Sequence, residues 1–548
     1  MLWLLGGWLL ALLLTWPLVR NLSTAVPQDT GDPLGQAWFL SWGGHALLTQ
    51  PTRLFQGNVF WPGDSSFAYS DSLLGYFPAA LLGEGVTAAV VRYNLVFLFA
   101  YALAFAAAAL LARELGCRPA AAVVAGAAFA WAPWKVVQNG HLNVLSTAGV
   151  ALTIFLLLSG YRRGRSWQVL AGWLAAAWQM TLGFALGIWF AYFMAALALL
   201  AAGSWLWRGR PALPAALVRA TLGGGLLFAA VTAFMVRPYL EIVARDPTAL
   251  RDRSQLEFFS APPRGLLAAG GESRAWGTAT AAIRETLPWA PEQALFPGVV
   301  VVLLAVAGLR WRGATRGLRI GLAVATGFTV LLSFGLRLWG GLVYEPFVDL
   351  APGWQGLRTT GRLAFLWSLG LSVLAGMGAQ RVATGVRRSL AARGDGAHLP
   401  LPPGAVGSAA VIALAALVAY EGAPRLPIAQ VPQPSAALAG AAGPRFHLPS
   451  DELNDTAYML WSTDGFVPIA NGGASYTPQA LRDLRAQTVG FPDPASVQVL
   501  RARGIRTVVV HRDRLPGTPW DGAADRPVDG LRLTRTDVGD VVVFDLAG

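Results

Sequence analysis

Residues 2–19, LWLLGGWLLALLLTWPLV, carry no charge and are followed by a single arginine, Arg20, before the polar run NLSTAVPQDTGDPLGQ begins at Asn21. A bilayer-spanning helix needs roughly 20 predominantly apolar residues, because in lipid every backbone N–H and C=O must be paired inside the segment. The stretch therefore reads as a first membrane crossing. It has no basic leader and no small-x-small cleavage site, which favours a retained anchor over a removed signal peptide.

The same pattern recurs along the chain. Further crossings are expected at about Val86–Ala112, Ala120–Val137, Leu142–Leu158, Trp167–Leu182, Ile188–Leu206 and Leu213–Val236. Four more follow at about Ala294–Leu309, Leu318–Leu338, Leu363–Val382 and Ala405–Tyr420, for about eleven in all. The chain is 55% hydrophobic and only 13% charged, which places it among polytopic α-helical membrane proteins and outside soluble domains of ordinary composition.

The net charge of +12 would suggest nucleic acid in a soluble protein, but its distribution argues against that partner. The basic residues crowd short loops after alternate crossings: Arg113 and Arg118; Arg162, Arg163 and Arg165; Arg208 and Arg210; Arg310, Arg312, Arg316 and Arg319; Arg381, Arg387, Arg388 and Arg393. Loops of this kind stay cytoplasmic. The amino terminus is then cytoplasmic, in a bacterial inner membrane, and everything after the last crossing is extracytoplasmic. The single cysteine, Cys117, precludes an internal disulfide.

On this topology the outer stretches with room for a site are 20–85, 237–293, 339–362 and the tail. Residues 1–423 form the transmembrane domain, 424–445 a Pro/Ala-rich linker, and 446–548 a small extracytoplasmic α/β domain. In that domain SVQVLRARG predicts a helix ended by glycine, IRTVVVH a buried strand, and LRLTRTDVGDVVVFDL a hairpin turning at Val538–Asp540. The segment ARDPTALRDRSQLEFFSAPPRGLL alternates charge with aromatics and suits either a mobile cover or a solvated loop.

The first outer loop has a readable order. Asp32 before Pro33 is the pairing expected of a helix cap and first helical residue. Trp38, Trp42 and His45 then share one helix face, which would lie along the interface towards lipid. Asp32 is read either as a cap or as a catalytic carboxylate. Asp29 stands close enough to replace it, or to share with it a divalent cation such as Mg or Mn, since carboxylate oxygens suit hard cations. Asn58, Tyr69 and Asp71 follow, with Asp71 a third acidic candidate against a turn role. His45, Trp42 and Asp71 are substrate-binding candidates; the plain reading of His45 is an interfacial polar residue, and that of Trp42 a membrane-belt aromatic instead of a sugar platform.

The runs GDPLGQAWFLSWGGHALLTQPTRLFQGNVFWP and AYSDSLLG resemble a family of bacterial multi-pass proteins related to the GT-C superfamily of glycosyltransferases, which use polyprenyl-phosphate sugars. GWQGLRTTGRLAFLWSLGLSVLAGMG, VPIANGGASYTP and VLRARGIRTVVVH resemble the same family, with a departure at Gly473, where the resemblance implies that an aromatic often stands. The resemblance implies a GT-C-like fold and an acidic residue early in the first outer loop at the reaction centre, a place Asp32 matches best, with Asp29 in reserve. It implies a polyprenyl-phosphate-linked sugar as donor and an extracytoplasmic glycan, lipid or protein as acceptor.

Such a transfer needs a base for the acceptor hydroxyl and cations for the departing phosphate. Arginine suits the second task, since its planar fork binds two oxygens and stays charged. Arg358 and Arg362, in LRTTGR, are the leading candidates, with Arg237 next; the plain reading of each is an interfacial arginine reaching to headgroups. His141, in the polar turn QNGHLN, either faces the same cavity or belongs to a helix-capping turn. A transporter or flippase of lipid-linked saccharide and a non-enzymatic scaffold remain the alternatives. Transport would favour charged residues at mid-membrane and matched halves, whereas the predicted crossings hold few acids and show no matched halves. No Walker, dinucleotide or HExxH signature appears.

Overall fold

A computed structural model describes residues 1–392 and 403–547, and Arg393 lies outside the described residues. A helix starts in or beside each of the eleven apolar stretches, but their lengths differ from the expectation. Among the described residues six helices are long and apolar enough to cross a membrane: Gly85–Glu114, Leu142–Arg163, Phe184–Trp207, Ala215–Arg245, Arg316–Ser333 and Thr360–Ser389. Shorter apolar helices run over Leu2–Leu14, Pro119–Ala130, Val299–Gly308 and Val406–Glu421. The chain is thus a mostly helical, multi-pass membrane protein with a small sheet region.

The shortening of the third expected crossing has a local cause. Proline disfavours helical geometry in the residue before it, and Ala132, preceding Pro133, is extended with φ −61° and ψ 130°. The helix stops at Ala130, and Pro133–Gln138 forms a separate 3-10 segment. The chain's one lysine, Lys135, sits in that segment, buried, with Nζ donating to Thr147 Oγ1 at 3.1 Å and lying 4.6 Å from the Phe129 ring centre.

Residues group into two compact units. The first contains 1–16, 97–235 and 250–426. Its centre is helix Ala364–Ala392, which packs against Val299–Gly308, Pro119–Ala130, Arg316–Ser333 and Pro403–Glu421. Small residues make the tightest approach, as they do where helices meet without a hydrophobic driving force. A Cβ at Gly308 would run into the Leu374 carbonyl, and one at Gly378 into the Leu304 carbonyl.

The second unit contains 17–96, 236–249 and 427–548. Strand Ala25–Pro27 pairs antiparallel with Ile428–Gln430, so the Pro/Ala-rich stretch supplies a strand to the segment that follows the first apolar helix. A four-stranded sheet has Arg445–Leu448 at one edge, parallel to Thr507–His511, then Val541–Asp545 and Thr534–Val538, both antiparallel. The SVQVLRARG helix spans Pro494–Ala502, capped by Asp493 and followed by Gly504 at φ 73°. The strand in IRTVVVH is buried at all five positions of Thr507–His511, and the hairpin turns at Gly539 and Asp540.

Candidate functional site

In the first unit, the LRTTGR turn meets a residue that the sequence reading passed over. Thr360–Leu363 forms one 3-10 turn, and a Cβ at Gly361 would strike the Glu292 carbonyl oxygen, so only glycine allows this approach. Arg362 faces Glu292 with both arms of its fork: Nε donates to Oε2 at 3.0 Å and Nη2 donates to Oε1. The side chains are 14% and 7% exposed, which makes this a buried, two-point ion pair. Arg362 is therefore engaged by a carboxylate through both arms of its fork.

Burial alone would raise the Glu292 carboxyl. The Arg362 charge and hydrogen bond, with smaller contributions from His141 and Arg358, outweigh it and hold the group below its ordinary value. The QNGHLN turn is tied to the same segment by Gln138, whose Nε2 donates to the Pro291 carbonyl at 2.8 Å. Three candidates from distant sequence, His141, Arg358 and Arg362, thus gather about one carboxylate.

Arg358 lies with Cζ 4.7 Å from the Phe259 ring centre. Half-buried Arg251 is beside it: burial first, and the Arg358 charge second, lower the Arg251 guanidinium to about 10. Two guanidiniums in each other's field beside an aromatic face favour an anion that relieves their repulsion. Arg251 was not singled out in the sequence, where ARDPTALRDRSQ shows only a charged loop.

In the second unit, Asp29 and Asp32 flank a turn. Asp29 Oδ1 accepts the Gly31 amide at 2.8 Å, and the Thr456 hydroxyl is shared between the Leu453 carbonyl at 2.7 Å and the Thr30 carbonyl at 3.0 Å. The helix runs over Asp32–Thr49 with Gly31 as its cap, so Asp32 is its first residue and not its cap; Pro33 follows as expected. Both carboxylates are exposed. An acid in a first helical turn is favoured by the partial positive charge there. Next to this turn Gly473 is fitted closely: a Cβ would come within 2.7 Å of Thr456 Cγ2.

The aromatic face of this helix does not look towards lipid. Trp38 is 0% and Trp42 3% exposed. Their rings stack with centres 6.0 Å apart; Trp38 Nε1 donates to Asn58 Oδ1 at 2.9 Å and Trp42 Nε1 to the Leu54 carbonyl at 3.0 Å. Buried indoles need such acceptors, and the face is core. Asn58 in turn donates to Ser462 Oγ and the Val467 carbonyl, each at 3.0 Å. His45 is half-buried and stacks on Phe466 at 4.2 Å, and burial lowers its imidazole, opposed by Glu84.

Arg237 is exposed and pairs with Glu241 one helical turn on, at 2.8 Å, a surface ion pair of small consequence. Asp71 is half-buried next to Ser70, whose carbonyl accepts the Tyr239 hydroxyl at 2.9 Å. Tyr476 donates to the Asp246 carboxylate, which Thr248 and Tyr476 hold below the ordinary range. Tyr69 meets Tyr476 edge-on at 5.3 Å.

Among the described residues no three His, Cys, Asp or Glu side chains come together as a metal site. Of the two carboxylates considered for a cation, Asp29 already has one oxygen accepting the Gly31 amide.

No family model matches the chain, and no curated protein matches it. Among solved structures, it is similar to the archaeal oligosaccharyltransferase AglB from Archaeoglobus fulgidus in complex with an inhibitory peptide and a dolichol-phosphate, at 13% identity over 93% of this chain and 69% of that one, with a TM-score of 0.41. The Archaeoglobus fulgidus oligosaccharyltransferase in complex with Zn and sulfate matches at 12% identity over 93% and 68%, with a TM-score of 0.45. ArnT from Cupriavidus metallidurans bound to undecaprenyl phosphate matches at 13% identity over 100% and 98%, with a TM-score of 0.40.

Proposed function

We propose that this protein is a GT-C-like membrane glycosyltransferase that moves a sugar from a polyprenyl-phosphate donor to an extracytoplasmic glycan, lipid or protein. The observation that carries the reading is the gathering of Arg358, Arg362 and His141 about the buried carboxylate of Glu292, with Arg251 beside Arg358. In it Glu292 neutralises and orients Arg362, while Arg358 and Arg251 present the paired positive charge that a phosphate leaving group requires.

In the proposed reaction an acceptor hydroxyl oxygen attacks the anomeric carbon. The bond from that carbon to the phosphate oxygen breaks, the electron pair leaves with the polyprenyl phosphate, and the hydroxyl proton passes to a carboxylate. Asp32 is the proposed base, on the resemblance of GDPLGQAWFLSWGGH to the GT-C-related family and on its exposure at a helix start. Attack from the face opposite the phosphate inverts the anomeric centre.

The test is transfer from radiolabelled polyprenyl-phosphate sugars into membrane extract by the purified protein, with Asp32→Asn and Arg358→Gln beside the wild type. Both variants should fold normally, Asp32→Asn should lose transfer, and Arg358→Gln should lose it by about 100-fold, the scale of removing one charge-stabilising group. Full activity in Asp32→Asn would remove Asp32 as base. Absence of transfer from every donor by the wild type, with flux of lipid-linked saccharide in liposomes, would replace the enzyme by a transporter.

A further inference from the structure

The first unit holds a second cluster of positive charge, away from Glu292. A cleft of about 470 Å³ is lined by Arg118, Arg387, Arg388, Trp311, Gln380 and Thr384. A second lobe of about 270 Å³ shares Arg118, Gln380 and Arg387 with it and continues to Gly407 and Ser408. No carboxylate is among the described residues lining either lobe.

We infer that this cleft is a binding site for the phosphate headgroup of an anionic phospholipid. Its cations all come from the arginine-dense segments that the loop-charge pattern assigns to the cytoplasmic side, and basic pockets between membrane helices on that side suit anionic headgroups. Helix Pro119–Ala130 begins at the cleft, adding the partial positive charge of its amino-terminal end. The Trp311 indole in the wall is of the kind that settles at headgroup depth. The helix that supplies Gly407 and Ser408 continues with Ile412 64% and Leu417 50% exposed, an apolar surface for acyl chains leading from the second lobe. A free phosphate would use the arginines but not that surface.

The test uses the full chain in dodecyl maltoside micelles, with lipid retention read by native mass spectrometry during titration with dioleoyl phosphatidylglycerol or dioleoyl phosphatidylcholine. The wild type should retain the anionic lipid in preference. Arg118→Gln with Arg387→Gln should weaken that retention roughly thirty-fold, from the contribution of each basic residue near an anionic headgroup, and leave phosphatidylcholine unchanged. The corresponding lysine variants should keep most of the preference. If the double variant fails to fold, Arg388→Gln alone should weaken retention about five-fold. Equal retention of both lipids by the wild type, or an undiminished preference in the glutamine variants, would overturn the proposal. Displacement of the anionic lipid by millimolar inorganic phosphate would overturn it too, in favour of a free-anion site.

Discussion

Removing Arg362 should be among the most costly single changes in the first unit, and the reason can be worked from its pairing with Glu292. The two side chains are only 14% and 7% exposed, and two hydrogen bonds join them. Breaking a buried pair from one side leaves an uncompensated charge and costs about 3–5 kcal/mol, whereas replacing both partners with neutral groups of similar size is close to neutral. Arg362→Met should therefore destabilise by about 3–5 kcal/mol. Glu292→Gln with Arg362→Met should recover about 2–3 kcal/mol of that loss, a coupling within the range for directly contacting residues. The pairing also fixes a sign with pH. Because Glu292 is held below its ordinary value in the folded protein, its stabilisation is present above the ordinary glutamate range and is lost as pH falls through the lowered value. SDS-induced unfolding in mixed micelles, followed by tryptophan fluorescence for the wild type, both single variants and the double, reads these differences. Single variants within about 0.5 kcal/mol of the wild type, the level of ordinary surface substitutions, or a double variant equal to the sum of the singles, would refute the buried-pair account.

Asn58→Ala should cost about 1–3 kcal/mol, because it strands the buried Trp38 indole N–H that Asn58 Oδ1 accepts; loss of tryptophan protection in hydrogen exchange is the readout. Gly378→Val should disrupt the close approach to Leu304 and cost at least about 1–3 kcal/mol by overpacking, read in the same SDS unfolding assay. Thr456→Val removes the hydroxyl shared between the Leu453 carbonyl and the Thr30 carbonyl between Asp29 and Asp32; it should lower kcat more than it raises KM, and rescue by Thr456→Ser would separate the lost hydrogen bond from lost packing. Asp455 is wholly buried and raised to about 6 by burial, against Arg485, the Gly472 amide and Asn471. Its folded value lies above its unfolded one, so its contribution is full below about pH 4 and is lost as pH rises to about 6. Asp455→Asn should flatten the stability profile over that window.

Much of the architecture was legible in hydropathy and turn chemistry, because both are local. Apolar runs located the helices, the Asp32–Pro33 pair located a helix start, and Gly504 and Gly539 marked a helix end and a hairpin turn. The Trp38, Trp42 and His45 spacing announced a common face. Spacing could not say what covered that face, since a lipid-facing belt and a protein-facing stripe have the same period; burial against Phe67 and Phe466 made it core.

The chain's own chemistry determined which residues were available: arginine forks at 358 and 362, carboxylates at 29 and 32, and a polar turn at 138–143. Tertiary structure alone decided their partners. Glu292 looked like the edge of a loop until Gly361 let the LRTTGR turn reach it, and Arg251 looked like one charge of many until it came beside Arg358. Likewise Ala25–Pro27 found its strand partner some four hundred residues away at Ile428–Gln430. The physical reason is the same in each case. Periodicity and caps follow from the backbone of a few consecutive residues, whereas charge pairing and strand addition depend on which distant segments packing brings within a few ångströms, information that no local window of sequence contains.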